Sequence, residues 1–488
     1  MSQQMQLPEL GVIGLARYLW RQLTSMRTAL ILLLLMGIAA IPGSLIPQRL
    51  TNPIAVREFY ISDPDTARLY DRFYLFDVFG SPWFSAIYIL LFISLIGCVL
   101  PRTVEHFKAM RAQPPATPKN LERMEHHQGF AKNSDALTLA EAWFKKNRFR
   151  IRNEGTSISA EKGFIRESGN LLFHLSLILI LIGVGFGSLF GMRGEAIINV
   201  GERFINVATS YDTLAFGRLS NEKKLQGFEI KLDRFEAEYN TITGAPKEYS
   251  AFVTVVEDGI STKRVIQVNE PLTFGNTRVY LQANGYSPVV TVRDAAGNVA
   301  LQGPVPFLPQ DGNLRSIGAI KVPDAEPQLG FVASFLPTQD RVAGEAATSL
   351  FPELLDPKML FAIWKGDLGL DSGVPQSIYR IDTEKLERIG LGSVTPGETY
   401  SYPEGSITLE TVVPWVNLQM VEDPGKQYAL IGGIFAIAGL LASLYGKRRR
   451  IWVRVVGEKV EIAGLSKNDA PGLDIEIAEI VKTIKGEK

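Results

Sequence analysis

The sequence predicts a membrane protein with four transmembrane α-helices, a large β-rich, sandwich-like extracytoplasmic domain and a small α+β cytoplasmic module. Three observations predict this fold class. Four long apolar runs interrupt the 488 residues, basic residues cluster at alternating ends of those runs, and a long segment between the third and fourth runs is typical of strands and turns. Since 51 basic residues balance 51 acidic ones, nothing in the net charge indicates nucleic-acid binding.

The apolar runs predict transmembrane helices at residues 28–46, 84–100, 171–190 and 428–445. Each run has roughly 17–20 residues, enough for a helix to cross about 30 Å of hydrocarbon. Lipid offers no hydrogen bonds to the backbone, so helix is the expected conformation. The first run is longer than the core of a cleaved signal peptide, about 7–15 residues, and no small-x-small site ends it, so we expect it to be retained.

Basic residues orient the four helices. Lys and Arg are frequent between the second and third runs, precede the first run at Arg17, Arg21 and Arg27, and follow the fourth at 447–450. Because such residues favour the cytoplasmic side, both termini are predicted to be cytoplasmic. The prediction places 1–27, 101–169 and 446–488 inside, and 47–83 and 191–426 outside.

A short amphipathic helix is predicted before the first transmembrane helix. Val12, Leu15, Leu19 and Leu23 recur at helical spacing, with arginines between them. This pattern is typical of a helix that lies in the membrane interface, in contact with the lipid bilayer. A helix surrounded by water is the alternative.

The outer segment has the pattern of a β domain. β-branched and aromatic residues predict strands at 228–232, 251–256, 264–268 and 288–292. Turns are predicted at 257–259, 284–285 and 295–298. Two stretches rich in Pro and Gly, 302–328 and 337–357, are predicted to be loops.

The two larger cytoplasmic segments each predict a hairpin and a helix. In the loop, Ser134 or Asp135 can cap a helix through 142–144, and a hairpin turns at 154–155. In the tail, a hairpin turns at 457–458 and a helix follows at 474–484. Neither segment is long enough for a core of its own, so we expect them to pack together. Independent flexible hairpins are the alternative.

His174 is the candidate site residue because it lies inside a predicted transmembrane helix. An ionisable side chain at that position is a functional hypothesis by default, and neutral imidazole is a good axial ligand for haem iron. A histidine that only hydrogen-bonds a neighbouring helix is the alternative. No other predicted transmembrane helix contains a histidine, so if the iron has two nitrogen ligands, the second must come from another chain. A water or a weak ligand is the alternative.

The remaining histidines and the single cysteine give weaker indications. Because Cys98 is the single cysteine, no intrachain disulfide can form, and the sequence has no zinc-binding pattern. Its thiolate could bind iron, although a lone buried cysteine is more often an apolar filler. For His106, His126 and His127 we expect surface roles in the cytoplasm.

Several stretches, in this order, make the chain resemble the ResB/Ccs family of system II cytochrome c biogenesis proteins. They are LTSMRTA at 23–29, GSLIPQ at 43–48, DVF at 77–79, SPWF at 81–84, CVLPR at 98–102, KGFIRESGNLLFH at 162–174, VNEPL at 268–272, KGDLG at 365–369 and KRRRIWV at 447–453. Their order relative to the predicted helices makes the resemblance specific.

The resemblance implies a role in haem delivery and attachment to apocytochrome c. It implies a CcsA/ResC-type membrane partner and haem b as a transient ligand shared with it. His174 falls where the family places an intramembrane haem histidine. Arg166 is the candidate for the haem propionates, with Arg102 or the nearby lysines as others. The preference of basic residues for the cytoplasmic side explains them without that role. By this resemblance the chain is part of a haem lyase complex and is not catalytic alone.

Two other functions stay open at this stage. The chain could be a scaffold that binds no haem and only stabilises its CcsA/ResC-type partner. It could also be a transporter acting alone, although one ionisable residue within four helices makes a poor pathway.

Overall fold

A computed structural model describes residues 11–49, 51–131, 134–340, 348–370, 379–466 and 472–487. The chain forms two compact units. One unit contains residues 1–185 and 425–488, and the other contains residues 186–424.

The α-helices of the described residues are α1 (Val12–Leu23), α2 (Met26–Leu45), α3 (Pro53–Ser62), α4 (Pro64–Arg72), α5 (Pro82–Arg111), α6 (Ala136–Lys146), α7 (Ile165–Phe190), α8 (Lys426–Tyr445) and α9 (Leu473–Lys485). Four of them, α2, α5, α7 and α8, are long and apolar enough to cross a membrane. The prediction of four transmembrane helices is therefore confirmed. The helices α5 and α7 continue beyond their apolar runs, because helical hydrogen bonding does not stop where hydrophobicity stops.

Helices α7 and α8 pack at backbone distance along a stripe of small residues. A Cβ added to Gly439 of α8 would lie 2.6 Å from the Phe173 nitrogen and 2.7 Å from the Gly169 carbonyl oxygen. One added to Gly432 would lie 3.1 Å from the Ser176 carbonyl oxygen. Small residues allow this approach, on which helix association in lipid depends.

The first strands belong to the unit that contains the four apolar helices: β1 (His126–Ala131), β2 (Arg150–Asn153) and β3 (Ser157–Lys162). The outer segment forms β4 (Met192–Asn199), β5 (Arg203–Ile205), β6 (Thr213–Phe216), β7 (Phe228–Tyr239), β8 (Pro246–Glu257), β9 (Ile260–Gln267), β10 (Leu272–Phe274), β11 (Thr277–Asp294), β12 (Val299–Pro304), β13 (Leu308–Pro309), β14 (Ser316–Val322), β15 (Leu329–Leu336), β16 (Lys358–Lys365), β17 (Glu387–Val394), β18 (Thr399–Tyr402) and β19 (Gly405–Glu422). The tail forms β20 (Arg449–Val456) and β21 (Lys459–Ser466).

The loop between α5 and α7 and the C-terminal tail form one α+β module. Its antiparallel sheet has the order β1-β21-β20-β3-β2, and β20 of the tail pairs with β3 of the loop, with Trp452 opposite Ser159. Both hairpins turn at glycines with positive φ, Gly155 and Gly457. One core buries Phe144 of α6 together with residues of both hairpins and of α9. The predicted packing of the loop against the tail is confirmed.

The outer unit consists of three sheets that enclose two hydrophobic cores. A seven-stranded sheet contains the long strands β11 and β19, which pair along nearly their whole length. Val279 and Leu418 lie in a core shared with the sheet of β5, β7, β8 and β9. Val290 and Ile407, farther along the same two strands, lie in a core shared with the sheet of β13 to β17. The β-rich, sandwich-like prediction is therefore confirmed.

Two details predicted for the outer unit are wrong. The pair Asn284–Gly285 is not a turn but lies inside β11, opposite Trp415. A Cβ at Gly285 would lie 2.5 Å from the Trp415 ring, so this glycine makes room for an indole. The predicted loop at 302–328 contains β14, with Ile320 fully buried.

The other predicted strands and turns of the outer unit are confirmed. Predicted strands at 228–232, 251–256, 264–268 and 288–292 coincide with parts of β7, β8, β9 and β11, to within one residue at the end of β9. The turns at 257–259 and 295–298 connect β8 to β9 and β11 to β12. In the predicted loop 337–357, the described residues before β16 form only isolated bridges, and residues 341–347 lie outside the described part.

Candidate functional site

A cavity of about 460 Å³ lies among helices α2, α5 and α7. Its volume is within the range of small-molecule sites, about 300–1,000 Å³. The lining is mostly apolar, and its other side chains are Cys98, Arg102, Asn170 and His174. The structure therefore brings together His174 and Cys98, which the sequence singled out separately.

The imidazole of His174 is held by its own helix. Its Nδ1 lies 2.7 Å from the carbonyl oxygen of Asn170, one turn earlier. Because a carbonyl can only accept, Nδ1 carries the proton, and Nε2 of the neutral ring keeps its lone pair. This tautomer is the one in which Nε2 can bind a metal, with a backbone carbonyl fixing the ring. The side chain is half-buried, and its ring packs against that of Phe173.

Arg102 is the cationic residue of the cavity. It lies on α5 one turn after Cys98, and its Nη2 is 2.9 Å from the Met26 sulfur on α2. Arg166, the first candidate for propionates, lies in the first turn of α7 and is not among the residues that line the cavity as described. Its backbone nitrogen lies close to Gly446, just after α8.

The Cys98 thiol takes part in a contact between α1 and α5. Its Sγ donates to the carbonyl of Thr24 at 2.7 Å, and the Ser94 hydroxyl donates to the carbonyl of Leu23 at 2.5 Å. Between them, a Cβ at Gly97 would lie 2.1 Å from the Thr24 methyl group. These contacts satisfy two carbonyls at the end of α1, which a helix end would otherwise leave unpaired. These contacts give the Cys98 thiol a structural role that does not involve iron.

Of the three other histidines, His106 was expected at the surface, and that expectation is wrong. Its side chain is only 8% exposed, and its Nε2 lies 2.9 Å from the Ser168 hydroxyl, because α5 extends beside the start of α7. His126 pairs with Asp474 of α9, Nδ1 to carboxylate oxygen, at 2.6 Å. His127 lies in β1 of the module. No group of three or more His, Cys, Asp or Glu suited to a metal ion occurs among the described residues.

A group of charged residues, which we call the junction cluster, lies where the α+β module meets α7. It consists of Glu161, Glu167, Arg448 and Arg450. Arg448 pairs with both glutamates, and Arg450 pairs with Glu161, which is only 3% exposed. Burial alone would raise the pKa of Glu161, but hydrogen bonds from Arg450 and Arg448 outweigh it and hold that pKa below its ordinary value. In the sequence, Arg448 and Arg450 indicated the orientation of the fourth helix but not these ion pairs.

The comparisons with known proteins agree with this architecture. The sequence profile of the ResB-like family matches residues 26–478. The chain belongs to the ResB-like family. The matched region contains the four apolar helices, the cavity and nearly all of the α+β module, and it begins after α1.

Curated relatives are similar to this chain over most of their length. A protein of Prochlorococcus marinus (strain NATL1A) named cytochrome c biogenesis protein CcsB is 25% identical over 478 residues, which is 95% of this chain and 97% of the relative. A CcsB of Synechococcus sp. (strain JA-3-3Ab) is 25% identical over 86% of this chain and 79% of the relative. Cytochrome c biogenesis protein Ccs1 of Porphyra purpurea is 23% identical over 95% of each.

Proposed function

We propose that this chain is a membrane subunit of a cytochrome c assembly complex and that it holds haem b before its attachment to apocytochrome c. The observation that carries the proposal is the state of His174: it lines an apolar cavity, and its Nδ1 is already bound to the Asn170 carbonyl. The names of the ResB-like relatives support a role in cytochrome c biogenesis.

The residues of the cavity suit an amphipathic, anionic ligand. His174 Nε2 would bind the iron, Arg102 would pair with a propionate, and leucines such as Leu95 would contact the porphyrin ring. Bound haem would supply the vinyl groups that become thioether links to cytochrome cysteines. The apolar lining would strengthen the contacts of His174 and Arg102 with the ligand, because electrostatic interactions are stronger where water is excluded.

A second membrane protein completes the proposed site. Among the residues that line the cavity as described, His174 is the single imidazole. A hexacoordinate iron with two nitrogen ligands would therefore need a CcsA/ResC-type partner to contribute one. The outer segment at 191–426 contains neither His nor Cys, so we assign it contacts with proteins and no iron ligand. The chain thus acts as part of a haem lyase complex and performs no catalysis alone.

The haem content of the purified complex tests the proposal. The chain is co-expressed with its membrane partner, and His174→Ala is compared with His106→Ala, which removes a histidine outside the cavity. We expect His174→Ala to lose most of the haem and of the cytochrome c yield, and His106→Ala to keep both. Imidazole added to His174→Gly should restore the haem absorption. Unchanged haem and cytochrome yield in His174→Ala would instead favour the scaffold function.

A further inference from the structure

Four large apolar residues are exposed in the segment between α2 and α5. We call them the aromatic ledge: Leu69, Phe73, Tyr74 and Phe79. Each side chain is about half exposed, between 48% and 57%. Exposed apolar residues that occur together, unlike single ones, indicate a surface with a partner.

The ledge is held in place by specific contacts. The indole nitrogen of Trp83 donates to the Phe73 carbonyl at 3.0 Å. The Gln48 side chain donates to the Leu75 carbonyl at 3.0 Å and accepts from the Val78 nitrogen at 3.0 Å. Tyr74 has a φ of 59°, a left-handed conformation that a bulky residue rarely adopts. These contacts fix the backbone of the segment that presents the ledge.

Helix α4 holds one side of the ledge against the chain. Ala67 lies in a small core with Phe76, with Tyr70 packed against it. Asp65 and Arg68 have side chains that are 91% and 72% exposed. Asp65 lies one turn before Leu69, so charged and apolar side chains share the exposed side of this helix.

We propose that the aromatic ledge inserts into the lipid headgroup layer at the Leu45 and Pro82 ends of α2 and α5. The ledge continues the apolar surface of α2, whose last turns expose Ile41 and Leu45. Aromatic rings are the side chains that membrane–water interfaces favour, and three of the four residues of the ledge are aromatic. The ledge therefore fixes the depth at which α2 and α5 sit in the bilayer.

Spin-label accessibility in the full chain tests this inference. The native Cys98 is replaced by Ser, single cysteines at Phe73 and, as a second reporter, Leu69 are labelled, and the protein is reconstituted in phosphatidylcholine–phosphatidylglycerol vesicles. We expect labels at both positions to collide with oxygen more than with a water-soluble nickel chelate. A label at Arg68, whose side chain is 72% exposed on the same helix, is the matched control and should show the reverse.

Two results would overturn the inference. Labels at Phe73 and Leu69 that are as accessible to the nickel chelate as the label at Arg68 would place the ledge in water. Labels shielded from both reagents would show that a protein surface covers the ledge. Neither result bears on haem binding at His174, which lies on another helix.

Discussion

Arg448 donates to both carboxylate oxygens of Glu167, at 2.6 and 2.7 Å, and so joins the residue before β20 to the first turn of α7. The same guanidinium donates to Glu161 of β3, its Nε at 2.8 Å. A single arginine therefore connects the strands of the α+β module to a membrane-spanning helix. Arginine suits this position better than lysine, because different nitrogens of one guanidinium contact the two glutamates.

Replacing Glu161 by Gln should loosen the module. The change removes the buried carboxylate that Arg448 and Arg450 share, although Arg448 keeps Glu167. Breaking a buried ion pair typically costs about 3 kcal/mol or more. Amide hydrogen exchange in β3 and β20 should accelerate by roughly a hundredfold, since about 1.4 kcal/mol corresponds to a factor of ten.

An exposed pair in the same module supplies the control for that experiment. Glu141 pairs with Lys145 on α6, with the lysine side chain 67% exposed. Glu141→Gln should change the opening free energy by about 0.5 kcal/mol or less, because exposed ion pairs contribute little. Equal effects of the two substitutions would show that the junction cluster does not stabilise the module.

The stability of the module should fall in acid. The pKa of Glu161 in the folded chain is below its ordinary value, which for a glutamate is about 4.3. Its contribution is therefore fully present above about pH 4.3 and is lost as the pH falls through the lower, folded pKa. Exchange protection in β3 and β20, corrected for the intrinsic rate at each pH, should decrease over that window. The decrease should be smaller in Glu161→Gln, and an equal decrease in both proteins would assign the acid sensitivity to other groups.

The close contact between α7 and α8 predicts that alanine at two glycines of α8 has very different effects on stability. Gly439→Ala places a methyl group 2.6 Å from the Phe173 nitrogen and must separate the helices, with a cost of about 1–3 kcal/mol. Gly433→Ala meets nothing within 4 Å and should be neutral or slightly stabilising. Unfolding by titration with sodium dodecyl sulfate measures both. Equal midpoints for the two variants would mean that the close approach contributes nothing to stability.

The sequence predicted those parts of the fold that local patterns determine. Apolar runs located the four helices, and the turns at Gly155 and Gly457 located both hairpins of the module. It failed where a distant residue decides the local structure. Asn284–Gly285 has the composition of a turn, but Trp415, 130 positions later in the chain, occupies the space above that glycine. No local pattern contains that information.

The candidate site could be predicted in part for the same reason. A histidine in an apolar run is visible in one sequence, so His174 was found. That Arg102 and not Arg166 lies at the cavity depends on how α5 packs beside α7, which periodicity does not specify. The Arg448–Glu167 contact joins residues 281 positions apart, and only the paired strands β3 and β20 bring them together.

Cys98 should tolerate serine better than alanine. Serine keeps a donor for the Thr24 carbonyl, whereas alanine removes it at a cost of about 1 kcal/mol. We expect Cys98→Ser to retain the haem absorption spectrum of the complex, and Cys98→Ala to accelerate hydrogen exchange at the end of α1. A shifted or lost haem spectrum in Cys98→Ser would show that the thiol binds iron.

Arg102 should determine how tightly an anionic ligand is held, without changing how its iron is bound. Arg102→Gln removes the cation of the cavity but leaves His174 bonded to Asn170, so the haem spectrum should keep its shape while less haem co-purifies. Loss of one charge-assisted contact, about 1.5–3 kcal/mol, corresponds to roughly a 10- to 150-fold weaker affinity. Arg166→Gln on α7 is the control and should retain more haem, because Arg166 is not among the residues that line the cavity. If Arg166→Gln lost more haem than Arg102→Gln, the propionate site would lie at the start of α7 and not on α5.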